Sequence, residues 1–111
     1  MQVVYIAGPL RADTEDKEKE NKAAFMNAEI KLFGAGYAPL NPVRFLDGIP
    51  DERCLPVCMA MLQAADVVVM LNGWPYSEGA KAEFYFALRQ GKEVICTANK
   101  KAFRDKFGFL L

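Results

Sequence analysis

Four short apolar runs alternate with longer amphipathic segments along this chain, and that alternation predicts its elements. Val3-Val4-Tyr5-Ile6-Ala7 reads as a first buried strand, ended by Gly8-Pro9. A long helix is expected from about Thr14 to Phe33, with Asp13 or Thr14 as its cap. Glu15/Lys19 and Glu18/Lys22 support its first half; Phe25, Ala28 and Leu32 make its second half apolar, and Gly34 and Gly36 end it. Tyr37 to Asn41 is a short second strand, and Pro39 inside it suggests an edge position. After a loop marked by Pro and Gly, a second helix is expected from about Asp51 to Ala65, with Pro56 moving its true start towards Leu55. Val67 to Leu71 is the third strand, and Ser77 to Gln90 the third helix, stopped by Gly91. Glu93 to Thr97 makes a fourth strand and Lys100 to Phe107 a last short helix.

Apolar strands alternating with helices imply an α/β fold: three α/β/α layers around a mainly parallel sheet of four to five strands, flavodoxin- or Rossmann-like. The edge position of the second strand favours the order 2-1-3-4. Strands one and three are then neighbours where the strand order reverses, and ligands bind at the carboxyl ends of strands at such a point. The loops Gly8 to Arg11 and Asn72 to Ser77 both open there. With no linker, repeat or low-complexity tract, residues 1–111 are expected to form one domain.

Composition narrows the function classes. Fourteen basic and fourteen acidic residues cancel, so no overall positive field draws the chain to a nucleic-acid polymer. No apolar run approaches the roughly 18 residues of a membrane span. The N-terminus lacks a basic region followed by a long apolar segment, and the three cysteines (Cys54, Cys58, Cys96) form an odd set. Together these predict reduced thiols in a cytoplasmic protein. The absence of histidine removes Ser-His-Asp and Cys-His nucleophile activation and His-ligated zinc. Two thiols that can share a helix face plus one distant Cys96 make a poor metal set, so neither a metal nor an organic cofactor is expected.

Chemistry must then run on carboxylates, hydroxyls, thiols, lysine or backbone amides. Glu83 stands out: on the third helix its neighbours three and four residues away are Gly79, Ala80, Phe86 and Ala87, and none is basic. It reads as a carboxylate in a small, partly apolar niche. Glu78, with Lys81 three residues on, reads as solvated surface. Gly8 lets the backbone approach a ligand, and Arg11 can reach back towards an anion. Ser77 begins the third helix, where a hydroxyl, free amides and the helix dipole suit a phosphate, and Gly79 and Ala80 keep that approach open. A tight turn with a serine cap accounts for the same residues equally well.

Val4-Tyr5-Ile6-Ala7-Gly8-Pro9-Leu10-Arg11, then Ala65-Asp66-Val67-Val68-Val69, then Gly79-Ala80-x-x-Glu83-x-x-x-Ala87 with Gly91-Lys92, resembles the nucleoside 2-deoxyribosyltransferase superfamily. Within it the chain looks closest to short bacterial and phage members of undefined function (DUF4406-like), and it is similar to the deoxynucleoside 5'-monophosphate N-glycosidases. The resemblance spans most of residues 3 to 95. It implies that Glu83 is the nucleophile attacking the anomeric carbon as the base departs, through an oxocarbenium-like transition state and a covalent sugar ester. It implies that Ser77 binds the 5'-phosphate, where transferases acting on free nucleosides carry an acidic residue. Tyr5, Gly8 and Arg11, with Pro9 and Leu10 between them, match the lining on the sugar and phosphate side.

One position departs from the family pattern. Eight residues before Ala65-Asp66 the family has an aspartate that assists the departing base; here it is Cys58. Another carboxylate takes over (Asp51 and Glu52 are upstream candidates), or the chemistry differs, or activity is reduced or lost. Cys58 itself reads either as a nucleophile or as a small buried apolar residue. Asp66 reads as a structural residue opening its strand. Trp74 and Tyr76 either stack on a base or pack within the loop. The chain ends Phe109-Leu110-Leu111, which suggests a self-association surface and hence a homo-oligomer, dimer or higher. The leading expectation is cleavage or transfer at the N-glycosidic bond of a (deoxy)nucleoside 5'-monophosphate. Its rivals are a nucleotide-binding module that lost the chemistry, and an interaction protein with no small-molecule pocket.

Overall fold

The computed structural model describes residues 1–111. Four parallel strands, β1 (Val3–Ala7), β2 (Ala38–Leu40), β3 (Val67–Met70) and β4 (Glu93–Cys96), form one sheet in the order β2-β1-β3-β4. Four helices connect and cover them: α1 (Glu15–Gly34), α2 (Asp51–Gln63), α3 (Glu78–Arg89) and α4 (Lys100–Phe107). The sheet has four strands, the lower of the two numbers expected. In register, Tyr5 of β1 lies between Leu40 of β2 and Val68 of β3. Asp66 ties the start of this ladder: its carboxylate accepts from the Val3 amide at 2.8 Å, and its own amide donates to the Val3 carbonyl at 2.8 Å.

Strand side chains alternate between faces, and the two parities define two cores. Val4, Ile6, Val67 and Val69 pack with Phe25, Ala28 and Leu32 of α1 and Phe103 and Phe107 of α4. Tyr5, Ala7, Val68 and Met70 face the other way, against Cys58 and Leu62 of α2 and Ala80 and Ala87 of α3. This parity aims Tyr5 at the layer that also carries Glu83.

Helix starts follow their caps. Thr14 Oγ1 accepts from the Lys17 amide at 3.1 Å, and Ser77 Oγ accepts from the Ala80 amide at 3.2 Å. α2 differs from expectation because it begins at Asp51 despite Pro56 inside it. A proline at that depth removes only the bond to the Glu52 carbonyl, which lies on an exposed part of the helix where water satisfies it. The segment Phe109–Leu111, expected to offer a self-association surface, instead packs onto the first core. The Phe109 ring meets Phe103 edge-on at 5.5 Å, and Lys31 Nζ donates to the Leu110 carbonyl. No helix is long and apolar enough to cross a membrane.

Phe103 is fully buried between the sheet and the Phe107 and Phe109 rings. Phe103→Ala is expected to lower stability by about 3–5 kcal/mol, read as a fall in the urea midpoint at unchanged m-value.

Candidate active site

At the carboxyl ends of β1 and β3, where the strand order reverses, lies a cavity of about 720 Å³. Its size falls within the range of small-molecule pockets. Six parts of the chain build it: the loop after β1 (Gly8–Ala12), one face of α1, Pro42 and Leu46 beyond β2, one face of α2, the loop after β3, and the first half of α3.

Glu83 lies at the inner wall. It is 6% exposed, and the Tyr5 hydroxyl donates a short hydrogen bond to its Oε2. Glu83 lines the cavity. Burial pushes the carboxyl up to about 7, while the Tyr5 hydrogen bond, which favours the charged form, pulls the other way. Burial and the neighbouring Glu83 hold the Tyr5 phenol far above its ordinary range, so it stays a donor. The Cys58 thiol lies against the same hydroxyl, and burial raises it to about 11. At neutral pH it is a protonated thiol in an apolar wall, not a thiolate nucleophile.

The two loops that were expected to converge do so. Gly8, Pro9, Leu10 and Arg11 line the cavity together with Ser77, Gly79 and Ala80. Gly8 has a reason the sequence did not reveal: a Cβ there would lie 2.8 Å from Leu71 Cβ, so the close packing of the ends of β1 and β3 requires it. Gly79 has nothing within 4 Å of its Cβ position and leaves the start of α3 open to a ligand. Ser77 caps α3 as an acceptor, which leaves its hydroxyl hydrogen to donate into the cavity.

Arg11 and Trp74 are both engaged by other side chains. Arg11 does not point freely at an anion; its guanidinium pairs with Asp51 Oδ1 across the cavity rim. Asp51 is thereby committed at the mouth, and Glu52 is outside the lining. Trp74 is also outside: its indole stacks on Phe84 with centroids 4.4 Å apart and planes at 21°, because the loop after β3 folds over α3. The aromatic that reaches the cavity from this loop is Tyr76, 93% exposed. Asn21 and Phe25 of α1 and Cys54 and Leu55 of α2 line the cavity without having been singled out for it. The signals were present as same-face spacing: Lys17/Asn21/Phe25 at i, i+4, i+8 and Asp51/Cys54/Leu55/Cys58 at i, i+3, i+4, i+7. No group of three or more potential metal ligands comes together in the structure.

A family model described as a domain of unknown function, DUF4406, matches residues 2–96. No curated protein matches the chain by sequence. Among solved structures it is similar to a 2-deoxyribosyltransferase from Leishmania mexicana, with a TM-score of 0.66 and 20% identity over 86% of this chain. It is also similar to a CMP N-glycosidase from Clostridium botulinum, with a TM-score of 0.60 and 16% identity over 86% of this chain. The chain spans 63% of the length of the first and 67% of the second. At these identities the likeness establishes the fold.

The raised Glu83 carboxyl has a consequence for stability. The folded state holds this proton more tightly than the unfolded chain, so its stabilising contribution is complete below about pH 4 and is lost as pH rises to about 7. The loss is on the order of 3 kcal/mol. Glu83→Gln keeps an acceptor for Tyr5 without the charge, and is expected to melt above the wild type at pH 8 and level with it near pH 4. A difference independent of pH would show that this carboxyl is not the titrating group.

Proposed function

The chain belongs to the DUF4406 family, and we propose that it cleaves or transfers the N-glycosidic bond of a (deoxy)nucleoside 5'-monophosphate, with Glu83 as nucleophile. The observation that carries this reading is a buried carboxyl, oriented by a tyrosine donor, on the wall of a nucleotide-sized cavity at the switch point of the sheet. A surface or structural glutamate has no need of that burial, whose cost a cation would ordinarily offset. The names of the two similar structures, a deoxyribosyltransferase and a CMP N-glycosidase, agree with it.

In this reading the phosphate sits at the start of α3. The Ser77 hydroxyl and the amides of the first turn donate to it, and the helix dipole favours its charge. A neutral serine accepts a phosphate where a carboxylate would repel it. Arg11 exchanges Asp51 for the phosphate or closes over it, an exchange favoured by the exposure of the existing pair. The base lies against the apolar inner wall, and Tyr76 stands beyond it at the mouth. Glu83 then attacks the anomeric carbon as the C1'–N bond opens, and the Tyr5 hydrogen bond keeps its Oε2 fixed and stabilises the carboxylate before attack. Water or a second base accepts the sugar from the resulting ester. One observation favours a second reading, a binding module without turnover: the protonated Cys58 thiol stands where the resembling enzymes have an aspartate.

Purified protein incubated with deoxy- and ribonucleoside 5'-monophosphates should release free base from some of them, followed by chromatography. Glu83→Gln should lower that release by about 10³-fold or more; full turnover in the variant would remove Glu83 as nucleophile. Calorimetric binding of nucleotides without release by the wild type would favour the binding module. Activity should rise with pH through about 7 as the carboxyl ionises. Tyr5→Phe removes the group that favours ionisation, so its rising limb should move to higher pH, with the rate at neutral pH down about tenfold per unit of displacement.

A further inference from the structure

Rupture of a C1'–N bond leaves an electron pair on the base, and most nucleobases need a proton from an acid to carry it. The cavity holds three carboxyl groups, Glu83, Asp51 and Glu78. Asp51 is paired with Arg11, and its side chain is 82% exposed. Glu78, 92% exposed, is paired with Lys81 at 2.9 Å. Along α2, Asp51 stands seven residues before Cys58, about 10 Å towards the mouth. Both of these carboxylates belong to the rim.

Lys17, paired with Glu20, and the exposed Tyr76 also line the cavity at its rim, and inside the rim no free acid remains. The Tyr5 hydroxyl donates to Glu83, Asn21 Nδ2 donates to the Leu10 carbonyl at 3.2 Å, and the Cys54 thiol faces the Ile49 and Pro50 carbonyls. The remaining inner surface is apolar, from Phe25, Leu46 and Leu55. Cys58 is a buried thiol within the second core, a weak donor with no carboxyl character.

We propose that this cavity takes nucleotides whose base departs unaided as a stabilised anion, the uracil class (uracil, thymine and 5-halogenated uracils), and turns over cytosine nucleotides far more slowly. The proposal rests on the reading of Glu83 as nucleophile. The bond formed is C1'–O to the Glu83 carboxylate, and the bond broken is C1'–N1. The electron pair goes to N1, where the two ring carbonyls delocalise it. Water then opens the ester, its hydroxyl going to C1' and its remaining proton neutralising the base anion, so the carboxylate is regenerated. An apolar inner wall suits this class, because no donor is needed to draw charge from the ring.

The test is a series of 2'-deoxynucleoside 5'-monophosphates bearing 5-fluorouracil, 5-bromouracil, uracil, thymine, cytosine and adenine, with release rates measured at saturation. The expected result is a steep dependence on leaving-group acidity, approaching about tenfold per pKa unit, with 5-fluorouracil fastest, cytosine slowest and adenine no faster than its acidity, near that of thymine, allows. Equal rates for 5-fluorouracil and cytosine, lost in Glu83→Gln, would overturn this inference while leaving the glycosidic reading intact. No release from any member would overturn both. Cys58→Asp places a carboxyl where the departing base lacks one, and should raise the cytosine rate relative to 5-fluorouracil by about tenfold or more. An unchanged ratio in a folded variant would remove Cys58 as the position of the missing acid; if the variant does not fold, the wild-type series alone decides.

Discussion

The carboxyl of Glu83, buried without a cation and held by the Tyr5 hydroxyl, is the constraint around which the functional half of this molecule is arranged. Withdrawing a carboxylate from water costs several kcal/mol unless it is paired, hydrogen-bonded or protonated. Here the group balances between the last two states, which is why its pKa lies near 7. Keeping it there requires a donor that itself never ionises, supplied by a tyrosine with no exposed surface in the central strand. It also requires a helix that delivers the carboxyl to that donor, which α3 does from a cap at Ser77 and small residues, Ala80 and Ala87, on the face against the sheet.

The surrounding architecture keeps this arrangement dry on one side and open on the other. The glycine at the end of β1 allows the adjoining end of β3 to pack within contact distance, so the two switch-point strands carry their loops to the same opening. The inner cavity wall is then apolar, while charges collect at the rim as pairs, Arg11 with Asp51 and Glu78 with Lys81. Exposed pairs of this kind contribute little to stability, so their place at the mouth leaves them free to rearrange around a charged ligand at low cost. The phenylalanine cluster of α4 and the segment after it pack on the opposite face of the sheet. The site and this aromatic cluster thus occupy opposite sides of one sheet.

This division explains what could be read from the chain. Strand order, helix limits and both caps follow from local signals: hydrophobic period, Pro39 at an edge, and Thr14 and Ser77 before amphipathic runs. Glu83 was legible because helical spacing left it without a basic partner, and an unpartnered carboxylate on an apolar helix face must have some other solution. Contacts between distant residues were not legible. Arg11 and Asp51 are 40 residues apart, and nothing local shows that they meet. Trp74 stacks on Phe84 rather than lining the cavity because a turn of the loop decides its direction. The final Phe109-Leu110-Leu111 looked like a surface because its partners, Phe103 and Phe107, lie on a helix whose own packing direction the pattern did not specify. Phe25 was read as core and Lys17 and Asn21 were not singled out, since a stripe that faces a cavity has the same period as one that faces a sheet.

Cys58 bears directly on how Glu83 ionises. A carboxyl at that place would stand beside Tyr5 and Glu83, and two carboxyl groups so close share a proton, raising one pKa and lowering the other. A neutral thiol leaves Glu83 with no acidic neighbour, so its ionisation depends on burial and on the Tyr5 donor alone. A thiol there therefore separates two tasks that a pair of carboxyl groups would combine. In the proposed reaction the attacking carboxylate is kept, while the proton for the departing group is given up. On that reading the electronic character of the leaving group, more than its hydrogen-bonding pattern, sets which nucleotides react.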